Sequence, residues 1–122
     1  MPRTVLVVDD SKPFRETARA LLEARGYDVV GVAADGAAAL AAARALRPGA
    51  VLLDVNLPDT DGRTLAGQLG GDGYAPAVVL FSTLDAASLG PSIESCGARG
   101  LVPKAELGSA RLIELLGPPD AD

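Results

Sequence analysis

The chain has 122 residues, 48% of them hydrophobic, and its 11 Lys and Arg against 16 Asp and Glu give a net charge of −5. That length suits one domain able to bury most of the surface its unfolded chain exposes. With no His and one Cys it carries no His-based triad, no phosphohistidine of its own, no His-held zinc and no internal disulfide, and the acidic balance argues against broad nucleic-acid or anionic-membrane binding.

Val5-Leu6-Val7-Val8 is a continuous apolar run and predicts a strand buried on both faces, as in a parallel sheet. The run is too short for a secretory signal, and no stretch approaches a membrane span. With its free Cys, the chain reads as a soluble cytoplasmic protein. Phe14, Ala18, Leu21, Leu22 and Arg25 follow at helical spacing. Ser11 is placed to cap that helix, Pro13 fits its first turn, and Gly26 can end it. A weaker strand covers Asp28 to Ala33. Residues 36–46 are Ala-rich, with Leu40, Ala43 and Leu46 spaced for one face, and Pro48-Gly49 ends them.

Val51-Leu52-Leu53 predicts a third strand, and Leu65 and Leu69 a short helix after Gly62, stopped by Gly70, Gly71 and Gly73. Val78 to Phe81 is the fourth strand. Leu89, Ile93 and Cys96 are helically spaced, with Gly90-Pro91 shortening that helix and Cys96 packed within it. Gly100 to Pro103 is a second weak strand. Leu107, Leu112, Ile113, Leu115 and Leu116 predict a last helix, closed by Gly117-Pro118-Pro119. Residues 1–119 are therefore one domain and 120–122 a frayed tail. The sum is an α/β fold, (βα)5, doubly wound around a five-stranded parallel sheet.

In such sheets ligands sit beyond the carboxyl ends of the strands. Asp9 and Asp10 follow the first strand, Asp54 ends the third, Ser82 and Thr83 end the fourth, and Lys104 follows the fifth. Each alone reads as a cap, a turn residue or a surface charge. As an ordered set they converge on one edge. Three close carboxylates repel and raise each other's pKa unless a cation joins them, and a hard, oxygen-liganded ion such as Mg2+ answers that need. Asp54 is then the candidate nucleophile, because a carboxylate can form an aspartyl-phosphate. The ion, Lys104 and the Ser82 hydroxyl with the Thr83 N–H can each serve one phosphoryl oxygen.

These residues carry a resemblance. Val5 to Ser11, Val51 to Gly62, Val79 to Ser82 and Gly97 to Lys104 together resemble the receiver domain of two-component response regulators, the CheY-like family, across essentially the whole chain. The resemblance implies a flavodoxin-like sheet of order 2-1-3-4-5, and phosphoryl acceptance at Asp54 from the phosphohistidine of a histidine kinase or phosphotransfer protein. It implies Mg2+ (or Mn2+) held directly by Asp10 and Asp54, by Asp9 mainly through water, and by the backbone carbonyl of Asn56. Ser82 and Lys104 would contact the phosphoryl group. The partner downstream would be an output protein or a C-terminal output domain, with a phosphorylation-dependent dimer as one form. No direct nucleic-acid or membrane contact follows. Such a chain promotes its own phosphorylation and dephosphorylation and is otherwise no enzyme.

Several positions depart from the family pattern. Leu101 stands where Tyr or Phe is usual, so this switch position carries no aromatic ring. Ala105 replaces a common Pro, and Pro103 to Leu107 looks more like the subgroup joined to helix-turn-helix domains. Thr83 is bulkier than the usual Ala or Gly. Leu84 cannot orient water, which with Asn56 tunes dephosphorylation, so slow loss of phosphate is expected. Two other readings compete: a phosphate-independent interaction module of the same fold, and an aspartate-nucleophile phosphatase. The adjacency of Asp9 and Asp10 disfavours the second, whose two acids usually stand two apart.

Overall fold

A computed structural model describes residues 3–70, 76–82 and 98–117. Five strands, β1 (Thr4–Val8), β2 (Asp28–Ala33), β3 (Ala50–Asp54), β4 (Ala77–Ser82) and β5 (Gly100–Pro103), form one parallel sheet in the order β2-β1-β3-β4-β5. The inner strands β1, β3 and β4 are the continuous apolar runs, and β3 and β4 are buried along their whole length. β2 lies at an edge, which is why Val32 stays 42% exposed and its apolar pattern is weak.

Helices α1 (Lys12–Ala24), α2 (Gly36–Leu46), α3 (Gly62–Gly70) and α4 (Ala110–Leu116) cover the sheet. One apolar cluster joins Ala18 and Leu22 of α1 and Leu112 and Leu116 of α4 to Val5, Val7, Leu52, Val79 and Phe81. The other joins Ala39 and Ala43 of α2 and Leu65 and Leu69 of α3 to Leu6, Val8, Val51, Leu53, Leu80 and Leu101. Burying a Leu such as Leu22 or Leu112 contributes about 2 kcal/mol, so the two layers hold the strand ends firmly in register.

The caps follow the sequence where local chemistry decides them. Ser11 accepts a hydrogen bond from the Phe14 N–H at 3.4 Å, and Pro lies in the first turn of α1. Asp35, unmarked by spacing, caps α2 by accepting from the Ala38 N–H at 2.8 Å.

Two expectations need correction. Leu46 does not share the buried face of α2; it is 47% exposed, because Ala39 and Ala43 make the contact and the helix ends there with Arg47 left-handed at φ 47°. Leu107 is buried but not helical: Lys104–Glu106 form a 3-10 turn, and α4 starts only at Ala110. The expected helix around Leu89, Ile93 and Cys96, the Gly71–Gly73 stop and the 120–122 tail lie outside the described residues. Among the described residues, no helix is long and apolar enough to cross a membrane.

Candidate functional site

Parallel pairing brings Val8 beside Leu53, Asp54 beside Phe81 and Ser82 beside Pro103, so the carboxyl ends of four strands share one edge. Asp9 lies one residue past β1, Asp54 is the last residue of β3, Ser82 the last of β4, and Lys104 follows β5 directly. Asp9, Asp54 and Ser82 are buried, whereas Asp10 is exposed at the rim. Asp9, Asp10 and Asp54 each present a carboxylate oxygen within 4.8 Å of the others.

Backbone and side chain divide the work at each buried acid. The Ser11 N–H donates to Asp9 Oδ1 at 2.7 Å, and Lys104 Nζ meets Asp9 Oδ2 at 2.7 Å. The Asn56 N–H donates to Asp54 Oδ1 at 3.0 Å, and Lys104 Nζ donates to Asp54 Oδ2 at 3.3 Å. One ammonium therefore bridges two buried carboxylates. Burial pushes the Asp54 pKa above its ordinary value and the Asp9 charge adds to this, against the Asn56 N–H and Lys104. For Lys104 burial works against the charged form, but the hydrogen bond to Asp9 and the pull of both acids outweigh it and raise its pKa.

The loop after Asp54 is shaped by a close approach. A Cβ on Gly62 would stand 2.4 Å from the Asp54 carbonyl oxygen and 2.8 Å from Val55 Cα, so only glycine lets α3 start against the end of β3. The Gly62 N–H donates to the Val55 carbonyl at 2.7 Å and closes the loop. Asp59 fastens the loop's outer side by accepting from the Gly36 N–H at 2.7 Å and the Ala37 N–H at 3.1 Å, at the positive end of α2. Those bonds hold the Asp59 pKa below its ordinary value.

Sequence reasoning places Asp9, Asp10, Asp54, Ser82 and Lys104 together, and the structure gathers them. Leu101 is buried among Leu6, Leu80 and the α2–α3 layer. Asn56 is exposed, with its N–H on Asp54. Thr83 and Leu84 lie outside the described residues. Arg15 is only half-exposed and donates from Nη1 to the Asp9 carbonyl at 2.8 Å. Spacing does not mark Asp59, and it marks Phe14 and Phe81 as helix and strand positions without showing that the two rings flank Lys104. The signal that sets the two rings apart from the rest of the core is scarcity, since the chain has only two Phe.

Comparison with known proteins agrees with this arrangement. Residues 5–116 match the response regulator receiver domain. A protein-glutamate methylesterase/protein-glutamine glutaminase of Anaeromyxobacter dehalogenans is 39% identical over 116 residues, which cover 93% of this chain and 32% of that protein. The transcriptional regulatory protein PdtaR of Mycobacterium tuberculosis is 32% identical over 124 residues, 94% of this chain and 60% of that one. The chain thus spans less than two thirds of either relative. The signal receiver domain of the response regulator NarL from Mycobacterium tuberculosis has the same fold at a TM-score of 0.84 and 33% identity, covering 95% of this chain and 98% of that one.

Proposed function

The chain belongs to the response regulator receiver domain family, and on that premise we propose that Asp54 accepts a phosphoryl group from a phosphohistidine on a partner kinase or phosphotransfer protein. The observation that carries this is the single edge where a buried carboxylate, a bridging ammonium and a buried hydroxyl meet. An Asp54 carboxylate oxygen forms the new P–O bond. The donor's P–N bond breaks, and its electron pair returns to the imidazole of the other protein. The Asn56 N–H fixes Asp54 Oδ1 and so orients the carboxylate. Lys104, already at Asp54 Oδ2, neutralises an incoming phosphoryl oxygen, and the Ser82 hydroxyl and the Thr83 N–H serve another as donors.

The donor set fits a hard divalent cation: three carboxylates, all oxygen, with ligand atoms within 4.8 Å of one another. Asp9, Asp10, Asp54 and the Asn56 carbonyl would hold Mg2+, or Mn2+ in its place. When bound, that ion supplies positive charge against the phosphoryl oxygens.

Ser82 and Leu101 are the switch positions. With Leu101 filling its pocket, the change passes to an output protein or a C-terminal output domain without an aromatic rotation. The face of β5 and α4 is the surface for that partner. The phosphorylated chain is long-lived, since Leu84 cannot orient water. The setting is cytoplasmic, and the chain turns over no free substrate. Incubation with Mg2+ and acetyl phosphate tests the assignment by mass spectrometry. The expected gain is one phosphoryl group, absent in Asp54→Ala; no gain, or a gain that survives the substitution, overturns it.

A further inference from the structure

Both phenylalanines of the chain stand beside Lys104. Phe14, in the first turn of α1, and Phe81, next to last in β4, stack with centroids 4.9 Å apart and planes inclined by 25°. The Lys104 ammonium lies 4.6 Å from the Phe14 centroid and 5.5 Å from that of Phe81. It also meets Asp9 Oδ2 at 2.7 Å and Asp54 Oδ2 at 3.3 Å. The surrounding core is built almost wholly of Val, Leu and Ala, which fill volume equally well but offer no negative ring face to an ammonium.

We infer that Phe14 and Phe81 are positioning residues, a stacked aromatic wall that keeps Lys104 at the acceptor while the charges of its carboxylate partners change. The inference rests on Asp54 being the acceptor. Phosphorylation of Asp54 converts a carboxylate that holds Lys104 into an acyl phosphate, so the ammonium must leave Asp54 Oδ2 and take up a phosphoryl oxygen. A flexible ammonium that is already 21% exposed then has an open path to water. The rings keep the same charge distribution throughout, so with Asp9 they hold Lys104 within reach while it exchanges Asp54 Oδ2 for a phosphoryl oxygen. Phe81 is wholly buried between β3 and β5, and its fixed ring sets the plane against which Phe14 stacks.

Phe14→Leu and Phe14→Tyr separate this role from packing, because Phe14 is only half-buried and Tyr keeps the ring that Leu removes. At saturating Mg2+, Phe14→Leu is expected to slow phosphoryl uptake from acetyl phosphate by about three- to tenfold, the range an ammonium–ring contact supports. The half-saturating Mg2+ concentration should stay where it is. In the proton NMR spectrum the Lys104 Hε signals, shifted upfield by the rings in the wild type, should move back toward their ordinary position. Phe14→Tyr should retain both the rate and the shift. A wild-type rate in Phe14→Leu, an equally slow Phe14→Tyr, or unshifted Lys104 Hε signals in the wild type would overturn the inference. If Phe14→Leu melts too low to assay, Phe14→Met serves in its place. A wild type that takes up no phosphoryl group sinks the acceptor assignment instead, and the Hε shift, which needs no donor, still decides whether the rings hold Lys104.

Discussion

Replacing Asp54 with Asn should stabilise the metal-free domain. The Asp54 carboxylate is 4% exposed and has an oxygen within 4.8 Å of Asp9, where two unit charges repel by about 3.5 kcal/mol at an effective dielectric of about 20. Attraction to Lys104 at 3.3 Å is about 5 kcal/mol on the same scale. Asp10 adds further repulsion, weakened by its exposure to water. These Coulomb terms nearly cancel, so the desolvation of a buried carboxylate, several kcal/mol in itself, decides the sign. Its raised pKa points the same way. Asn keeps the shape and still accepts from the Asn56 N–H. The expected gain is about 1–3 kcal/mol in urea unfolding without divalent ions, with the thermal midpoint rising by roughly 3–6 °C per kcal/mol. Adding Mg2+ should close the gap, since the wild type binds it better and is stabilised more. A variant less stable than the wild type without metal, or a gap that ignores Mg2+, would refute the reasoning.

Lys104→Met should lower stability by about 3 kcal/mol, because Asp9 is left buried without its counter-charge. The same change should tighten Mg2+ binding in calorimetry, as the ammonium no longer competes for Asp9 Oδ2, while phosphoryl uptake falls. Gly62→Ala should cost about 2 kcal/mol or more in urea unfolding, since the added Cβ meets backbone at 2.4 and 2.8 Å that cannot rotate away. Asp59→Asn should lower the thermal midpoint at pH 7. The folded-state pKa of Asp59 is depressed, so its contribution is present above the ordinary value of 3.8 and fades as pH falls through the lower folded value. The gap between variant and wild type should therefore narrow below pH 3.8; a gap that persists there would count against the charge of Asp59 as its source. Leu84→Glu should speed phosphate release from the loaded protein, read by loss of the phosphoryl mass with time.

The strands were legible because inner parallel strands need continuous apolar runs, and Val5–Val8 and Val78–Phe81 carry nothing else. The site was legible for a related reason. Once the strands are parallel, residues at their carboxyl ends must meet, so Asp9, Asp54, Ser82 and Lys104 converge whatever lies between. What escaped was settled across elements. Leu46 has the right spacing for burial, but it ends a helix that lies over an edge strand with little to cover it. Leu107 matches a helical stripe, yet the chain must first turn at Lys104 to place the ammonium between the acids. Arg15 bonds to the Asp9 carbonyl and Asp59 to the next helix, and the Phe14–Phe81 stack joins α1 to β4. No local period encodes such partners.

Lys104 also gives the site a place in time. Asp9 and Asp54 lie in the first half of the chain, and the ammonium that bridges them comes from the end of the last strand. A chain growing from its N-terminus has made both acids well before their internal counter-charge exists. Until β5 pairs with β4, nothing holds Lys104 at that edge. The receiving centre is thus completed only once β5 has been made, so a chain that stops short of that strand can carry the acids yet stay silent to the signal.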